Sequence, residues 1–179
     1  MEDATAIRID LPGYRIEALA QADAGRAQPL FEACADYTIM ESGELPTPDA
    51  AERAFRATPP GRTTADKFIF GLSSQDDRSI VALIVADRGW PDDASWWIAL
   101  MLVHPAQRGA GLAATFAETV LGWIERRQAA RIELAVFEEN RRAGRFWLAR
   151  GFSHVRSTEP RPVGRKTHVL HVMRRDAPG

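Results

Sequence analysis

The stretch Val103-His-Pro-Ala-Gln-Arg-Gly-Ala-Gly-Leu-Ala113 joins two patterns of different period. Upstream, Trp96 to Val103 is an apolar run of strand length; downstream, Leu112, Phe116, Val120, Trp123 and Ile124 recur at helical spacing. Gly109 and Gly111 therefore sit where a strand hands over to a helix N-terminus. Unpaired backbone N–H groups and the positive end of the helix dipole converge at such a junction, and glycine lets an anion approach the backbone closely. The spacing predicts a phosphate cradle. No Gly-Lys-Ser/Thr follows it, as a P-loop requires, and Gly109-Ala110-Gly111 lacks the third glycine of the dinucleotide fingerprint. A nucleoside triphosphatase and a dehydrogenase are both disfavoured.

Around this junction the chain alternates strand-like and helix-like segments. Tyr14 to Leu19 alternates as a first strand, and Asp23 stands where it would cap a helix carrying Ala27, Leu30, Phe31 and Cys34 on one face. Glu41 to Pro60 is rich in Pro, Gly and acids and is expected to be an ordered surface excursion with a short helix, Asp49 to Ala57. Phe68 to Leu72 and Ser79 to Asp87 form a hairpin that leads into the Trp96 strand. Arg131 to Phe137, a helix from Arg141 to Arg150, and strands near Ser153 to Glu159 and Lys166 to Arg174 complete the order, which predicts an α+β, mixed-sheet fold. Gly151 suits the left-handed position past the last helix, with Phe152 packing back toward Trp147.

The chain has 179 residues, 45% hydrophobic and 26% charged, which fits one domain spanning residues 1–179 with a sizeable core. A net charge of −1 gives no general attraction to nucleic acid or to an anionic membrane. Cys34 is the only cysteine, so no intrachain disulfide is possible, and no Cys/His spacing resembles a metal site. Its apolar neighbours predict a buried, inert thiol. Met1 to Asp10 carries acids rather than a signal pattern, and no apolar segment approaches the roughly 18 residues of a membrane span, so a cytoplasmic location is expected.

Arg108-Gly109-Ala110-Gly111-Leu112-Ala113 resembles the Arg/Gln-x-x-Gly-x-Gly/Ala signature of the GNAT superfamily of acyl-CoA N-acyltransferases. Asn140, Ala143, Phe146, Trp147, Gly151 and Phe152 resemble that family's second block in residue type and order. The resemblance implies a twisted, mostly antiparallel sheet of about seven strands flanked by about four helices. It implies acetyl-CoA as co-substrate, with the amides of Gly109, Ala110, Gly111, Leu112 and Ala113 holding the pyrophosphate. Met101, Leu102 and Val103 would pair with the pantetheine arm, and Asn140 and Phe146 would contact the same arm. Arg108 with Arg142 or Arg145 would neutralise phosphates. The backbone near Leu102 would polarise the thioester carbonyl.

Two departures bear on mechanism. Many members carry a tyrosine, assigned to protonating the thiolate, where Trp147 stands; an indole N–H does not titrate. Some place a glutamate on the strand that here reads Trp96 to Val103 and contains no titratable group. The catalytic acid and base are therefore unassigned by sequence. Asp36, Tyr37 and Glu41, after the first helix, and Trp97 on the strand are the candidate acceptor contacts. His168 and His171, taken as one strand, would face opposite sides and form no metal pair. His104, before Pro105, is expected to serve the turn. The implied reaction is acetyl transfer to a primary amine of a small molecule or peptide; the alternative is a coenzyme A-binding sensor or interaction module with weak catalysis. The apolar strand Thr167 to Met173 offers one route to a homodimer, by pairing across subunits.

Overall fold

A computed structural model describes residues 7–177; residues 1–6 of the amino-terminal stretch lie outside the described residues. Chain order is β1 (Arg8–Leu11), β2 (Tyr14–Ala18), α1 (Ala24–Ala33), α2 (Ala35–Ser42), α3 (Ala50–Arg56), β3 (Lys67–Ser74), β4 (Ile80–Arg88) and β5 (Ser95–Val103). There follow α4 (Leu112–Glu125), β6 (Arg131–Phe137), α5 (Arg141–Leu148), β7 (Ser153–Ser157), β8 (Arg161–Val163), β9 (Lys166–His168) and β10 (Leu170–Asp176). Eight strands form one sheet in the order β1-β2-β3-β4-β5-β6-β10-β7, and β8 and β9 form a separate hairpin. Every pairing among the described residues is antiparallel except β5 with β6.

The sheet is covered on both faces, which is why β4 reads as an unbroken apolar run rather than an alternation. On one face Phe116, Val120, Trp123 and Ile124 of α4 and Trp147 of α5 pack on Phe70, Ile84, Trp96 and Ile98. On the other, Ala27, Leu30 and Phe31 of α1 and Ala51 and Phe55 of α3 pack on Ile69, Leu83, Val85 and Leu102. Cys34, between α1 and α2, is buried.

The α+β sequence reading stands, with more strands and helices than expected. The structure adds one element and corrects three local expectations. Asp23 caps the short turn Gln21–Asp23, its Oδ2 accepting from the Ala20 N–H at 2.9 Å, and makes no cap bond to α1. The segment after the first helix is a second helix, α2, closed by Gly43 at φ 77°. Lys166 to Arg174 is split at Val169 into β9 and β10, so strand alternation does not relate His168 to His171. β10 lies inside the sheet between β6 and β7, which rules out pairing of that strand across subunits. At the end of α5, Gly151 adopts φ 78°, the Phe152 N–H donates to the Trp147 carbonyl at 3.2 Å, and the two rings meet at 5.2 Å, as the stop signal predicts.

Candidate active site

β5 and β6 run side by side only from Ser95 and Arg131 to Ile98 and Leu134. Beyond that pair each strand keeps its outer partner, β4 or β10, but the edges facing each other separate. A cavity of about 370 Å³ opens in the gap. β5 contributes Ile98 through Val103 to its walls, and β6 contributes Leu134, Ala135, Val136 and Phe137. α5 and its cap add Asn140, Arg142, Ala143, Phe146 and Trp147; the junction adds Arg108, Gly109 and Ala113; α2 adds Tyr37.

The ladder decides which backbone groups face the gap. The His104 N–H donates to the Val81 carbonyl at 2.8 Å, and Val103 lies opposite Ala82, so alternation turns the Leu102 N–H toward Leu83. Met101 and Val103 present their N–H groups to the open edge. The Leu102 N–H is thus turned to β4, so of the backbone near Leu102 it is the Met101 and Val103 N–H groups that face the gap. The amides of Gly109 through Ala113 donate to no carbonyl among the described residues. Gly109 (φ 90°) and Gly111 (φ 80°) turn the chain at the start of α4, and a Cβ at either would meet nothing within 4 Å. Unsatisfied donors around open space at a helix start suit an anion, which fits the pyrophosphate of a nucleotide coenzyme.

Most of the residues expected to touch a coenzyme line this cavity: Met101, Leu102, Val103, Arg108, Gly109, Ala113, Asn140, Arg142 and Phe146. Ala110, Gly111 and Leu112 form the cradle beside it. Arg142 is on the cavity wall and Arg145 is not, which separates two arginines that sequence leaves equivalent. Asn140 uses its Oδ1 to accept from the Ala143 N–H at 3.1 Å, capping α5. Trp147 is buried between Phe146 and Phe152, with ring centroids 5.1 Å and 5.2 Å away.

Arg108 departs from expectation. Its guanidinium is committed inside the protein: Nη1 and Nη2 donate to Asp36 at 2.5 Å and 3.1 Å, and Nε donates to the Val103 carbonyl at 2.9 Å. The Arg108 guanidinium holds the Asp36 carboxyl below its usual range.

Of the four acceptor candidates, only Tyr37 lines the cavity. Its hydroxyl reaches Glu41 Oε1 at 3.4 Å, one helical turn on, and burial pushes both groups above their ordinary values. Asp36 is engaged by Arg108. Trp97 lies at the closed end of the strand pair, opposite Asp87 and Glu133, away from the cavity walls. His168 is not among the candidate contacts read from sequence, yet it adjoins this group: its ring lies 4.4 Å from that of Phe137, and its Nε2 is 2.7 Å from the Glu41 carbonyl. His104 serves the turn, its Nδ1 accepting from the Ala106 N–H at 3.2 Å. Among the described residues no cluster suits a metal ion, and no helix is long and apolar enough to cross a membrane.

Comparison with known proteins gives this geometry a lineage. An acetyltransferase from Thermus thermophilus superposes with a TM-score of 0.72 at 20% identity, covering 91% of this chain and 96% of its own. A GCN5-related N-acetyltransferase from Kribbella flavida gives 0.66 at 22% identity, covering 92% and 98%. The ribosomal-protein-S18-alanine N-acetyltransferase of Escherichia coli gives 0.68 at 14% identity, covering 93% and 95%. At these identities the likeness is one of fold. No curated protein matches by sequence. The model of the acetyltransferase (GNAT) family matches residues 27–152, a span that contains the cradle, both diverging strands and α5, and the chain therefore belongs to the GNAT acetyltransferase family.

Proposed function

We propose that this protein is an N-acetyltransferase that moves an acetyl group from acetyl-CoA to a primary amine by direct attack on the thioester. The observation that carries the reading is the divergence of β5 and β6 after Ile98 and Leu134, which joins an unsatisfied amide cradle to a gap flanked by free strand edges. The pyrophosphate would lie on the amides of Gly109 to Ala113, with Arg142 at the wall for the remaining phosphate charge. The pantetheine arm would run between the strands, taking a hydrogen bond from one of the Met101 and Val103 N–H groups as an added strand does and leaving the other to the thioester carbonyl.

The acceptor, a small molecule or a peptide, would approach from the α2 side, past Tyr37. Its neutral amine nitrogen forms a bond to the thioester carbon, and the N–H of Met101 or Val103 stabilises the oxyanion; such preorganised donors are worth about 3 kcal/mol each. Collapse breaks the C–S bond, expels the thiolate and releases the amine's second proton to the thiolate or to solvent. A thiol pKa of about 8.5 makes the thiolate a workable leaving group without a phenol at Trp147. No covalent enzyme intermediate is involved, and holding both substrates in one gap supplies proximity.

A second reading, a coenzyme A-binding sensor, is favoured by one observation: among the described residues, Tyr37 is the only acid or base in the cavity wall besides its arginines. Coenzyme A release, followed with a thiol reagent across aliphatic, aromatic and peptide amines, separates the two. Saturable turnover with one amine class supports the transferase. Tight acetyl-CoA binding with no release above hydrolysis for any amine supports the sensor.

A further inference from the structure

α2 carries Tyr37, Ile39 and Met40, yet its residues are half-buried at most and none is fully buried. A helix this short does not persist on its own, and its hold on the core is limited to Tyr37, which packs beside Phe137 with ring centroids 6.5 Å apart. Polar ties at its two ends add to that contact. At the far end the Arg165 N–H donates to the Ser42 carbonyl at 2.8 Å and His168 Nε2 meets the Glu41 carbonyl. At the near end the tie is Arg108. One guanidinium grips the Asp36 carboxylate with both Nη atoms, the Val103 carbonyl with Nε, and approaches the Cys34 thiol at the α1–α2 joint at 3.7 Å.

Arg108 immediately precedes Gly109, the first amide of the cradle, so whatever fixes the cradle fixes the backbone that carries this fork. An Arg–carboxylate fork transmits orientation as well as attraction, because two parallel hydrogen bonds allow one geometry. Asp36 and Arg108 are 72 residues apart in sequence, and their pairing joins the anion cradle to the helix that supplies Tyr37 and Glu41.

We propose that Asp36 is a positioning residue: acting through Arg108, it fastens α2 to the coenzyme cradle, so that filling the cradle orders α2 and sets the acceptor wall. The proposal rests on the acetyl-CoA reading of the cradle. It also assigns the Arg108 side chain to this tie rather than to a phosphate. Coupling of this kind is reciprocal, so an ordered α2 in turn strengthens coenzyme binding.

Hydrogen exchange followed by mass spectrometry tests it without a known acceptor. In wild type, saturating acetyl-CoA is expected to slow exchange at least tenfold both in residues 109–113 and in residues 35–42. In Asp36→Ala the cradle remains protected by acetyl-CoA and residues 35–42 do not slow. Arg108→Lys, which keeps the charge and loses the fork, behaves as Asp36→Ala does. Equal slowing of residues 35–42 in wild type and both variants overturns the proposal. So does faster exchange there in wild type on binding, which would mean that Arg108 leaves Asp36 for a phosphate. Absence of protection at residues 109–113 in folded wild type overturns the acetyl-CoA reading together with the coupling.

Discussion

Ile98 and Leu134 are the last residues at which β5 and β6 lie side by side, and the cavity starts at that pair. Parallel strands in register would bury each other's polar edges; separating them leaves N–H and C=O groups that need a partner. An extended ligand with its own amides satisfies both requirements. Ala135 sits on the β6 wall just past the divergence. Ala135→Trp is expected to fill the gap and weaken acetyl-CoA binding at least tenfold, about 1.4 kcal/mol. Its thermal midpoint should stay near that of wild type. Calorimetric titration and a thermal melt check both halves.

Trp147 is a packing residue in the cavity wall. Trp147→Ala is expected to cost about 3–5 kcal/mol of stability, read from urea denaturation, because it leaves a hole beside Phe146 and Phe152. Trp147→Phe should retain the wild-type shape of the pH–rate profile, since the indole has no proton to lose in that range. Disappearance of a basic limb in Trp147→Phe would contradict this assignment.

Glu41 and Asp36 have opposite pH signatures although they share a helix. Burial raises the folded-state value of Glu41, so its contribution to stability is present below its unfolded value and is lost as pH rises through the folded value. Glu41→Gln is therefore expected to be more stable than wild type at pH 7, with the gain gone below about pH 4. Asp36 is lowered, first by its hydrogen bonds to Arg108, so its contribution is present above its unfolded value and is lost as pH falls through the folded value. Asp36→Asn should therefore be less stable than wild type at pH 7, by about 1 kcal/mol or less at so exposed a pair, with the difference fading in acid. Urea midpoints at pH 7 and pH 4 measure both.

The cradle is legible in the sequence because its signal is local: a run of strand period, two glycines and a run of helical period occur within one stretch. α5 is equally plain, with Asn140 as cap and Gly151 as stop. α2 is not, because it borders a cavity and sets Tyr37 rather than a full apolar stripe on the core, so no periodic signal marks Asp36, Tyr37 and Glu41 as helical. Its one local mark is Gly43 after Ser42. Arg108 misleads for a different reason: a guanidinium suits phosphate and carboxylate alike, and only the fold brings Asp36 to it. The alternation rule puts Trp96 and Trp97 on opposite faces, and the fold buries Trp96, but the rule does not say which end of a strand faces the cavity. The interior place of β10 is likewise a matter of topology, decided by pairing across the chain.

Calorimetric titration of acetyl-CoA into wild type and Gly111→Trp tests the central claim most directly. A side chain at Gly111 enters open space rather than the core and costs only left-handed backbone strain, about 1–2 kcal/mol, so the variant should fold. The account predicts micromolar binding to wild type and a loss of at least a hundredfold in the folded variant. Undiminished binding to Gly111→Trp, or no binding to folded wild type, would contradict it.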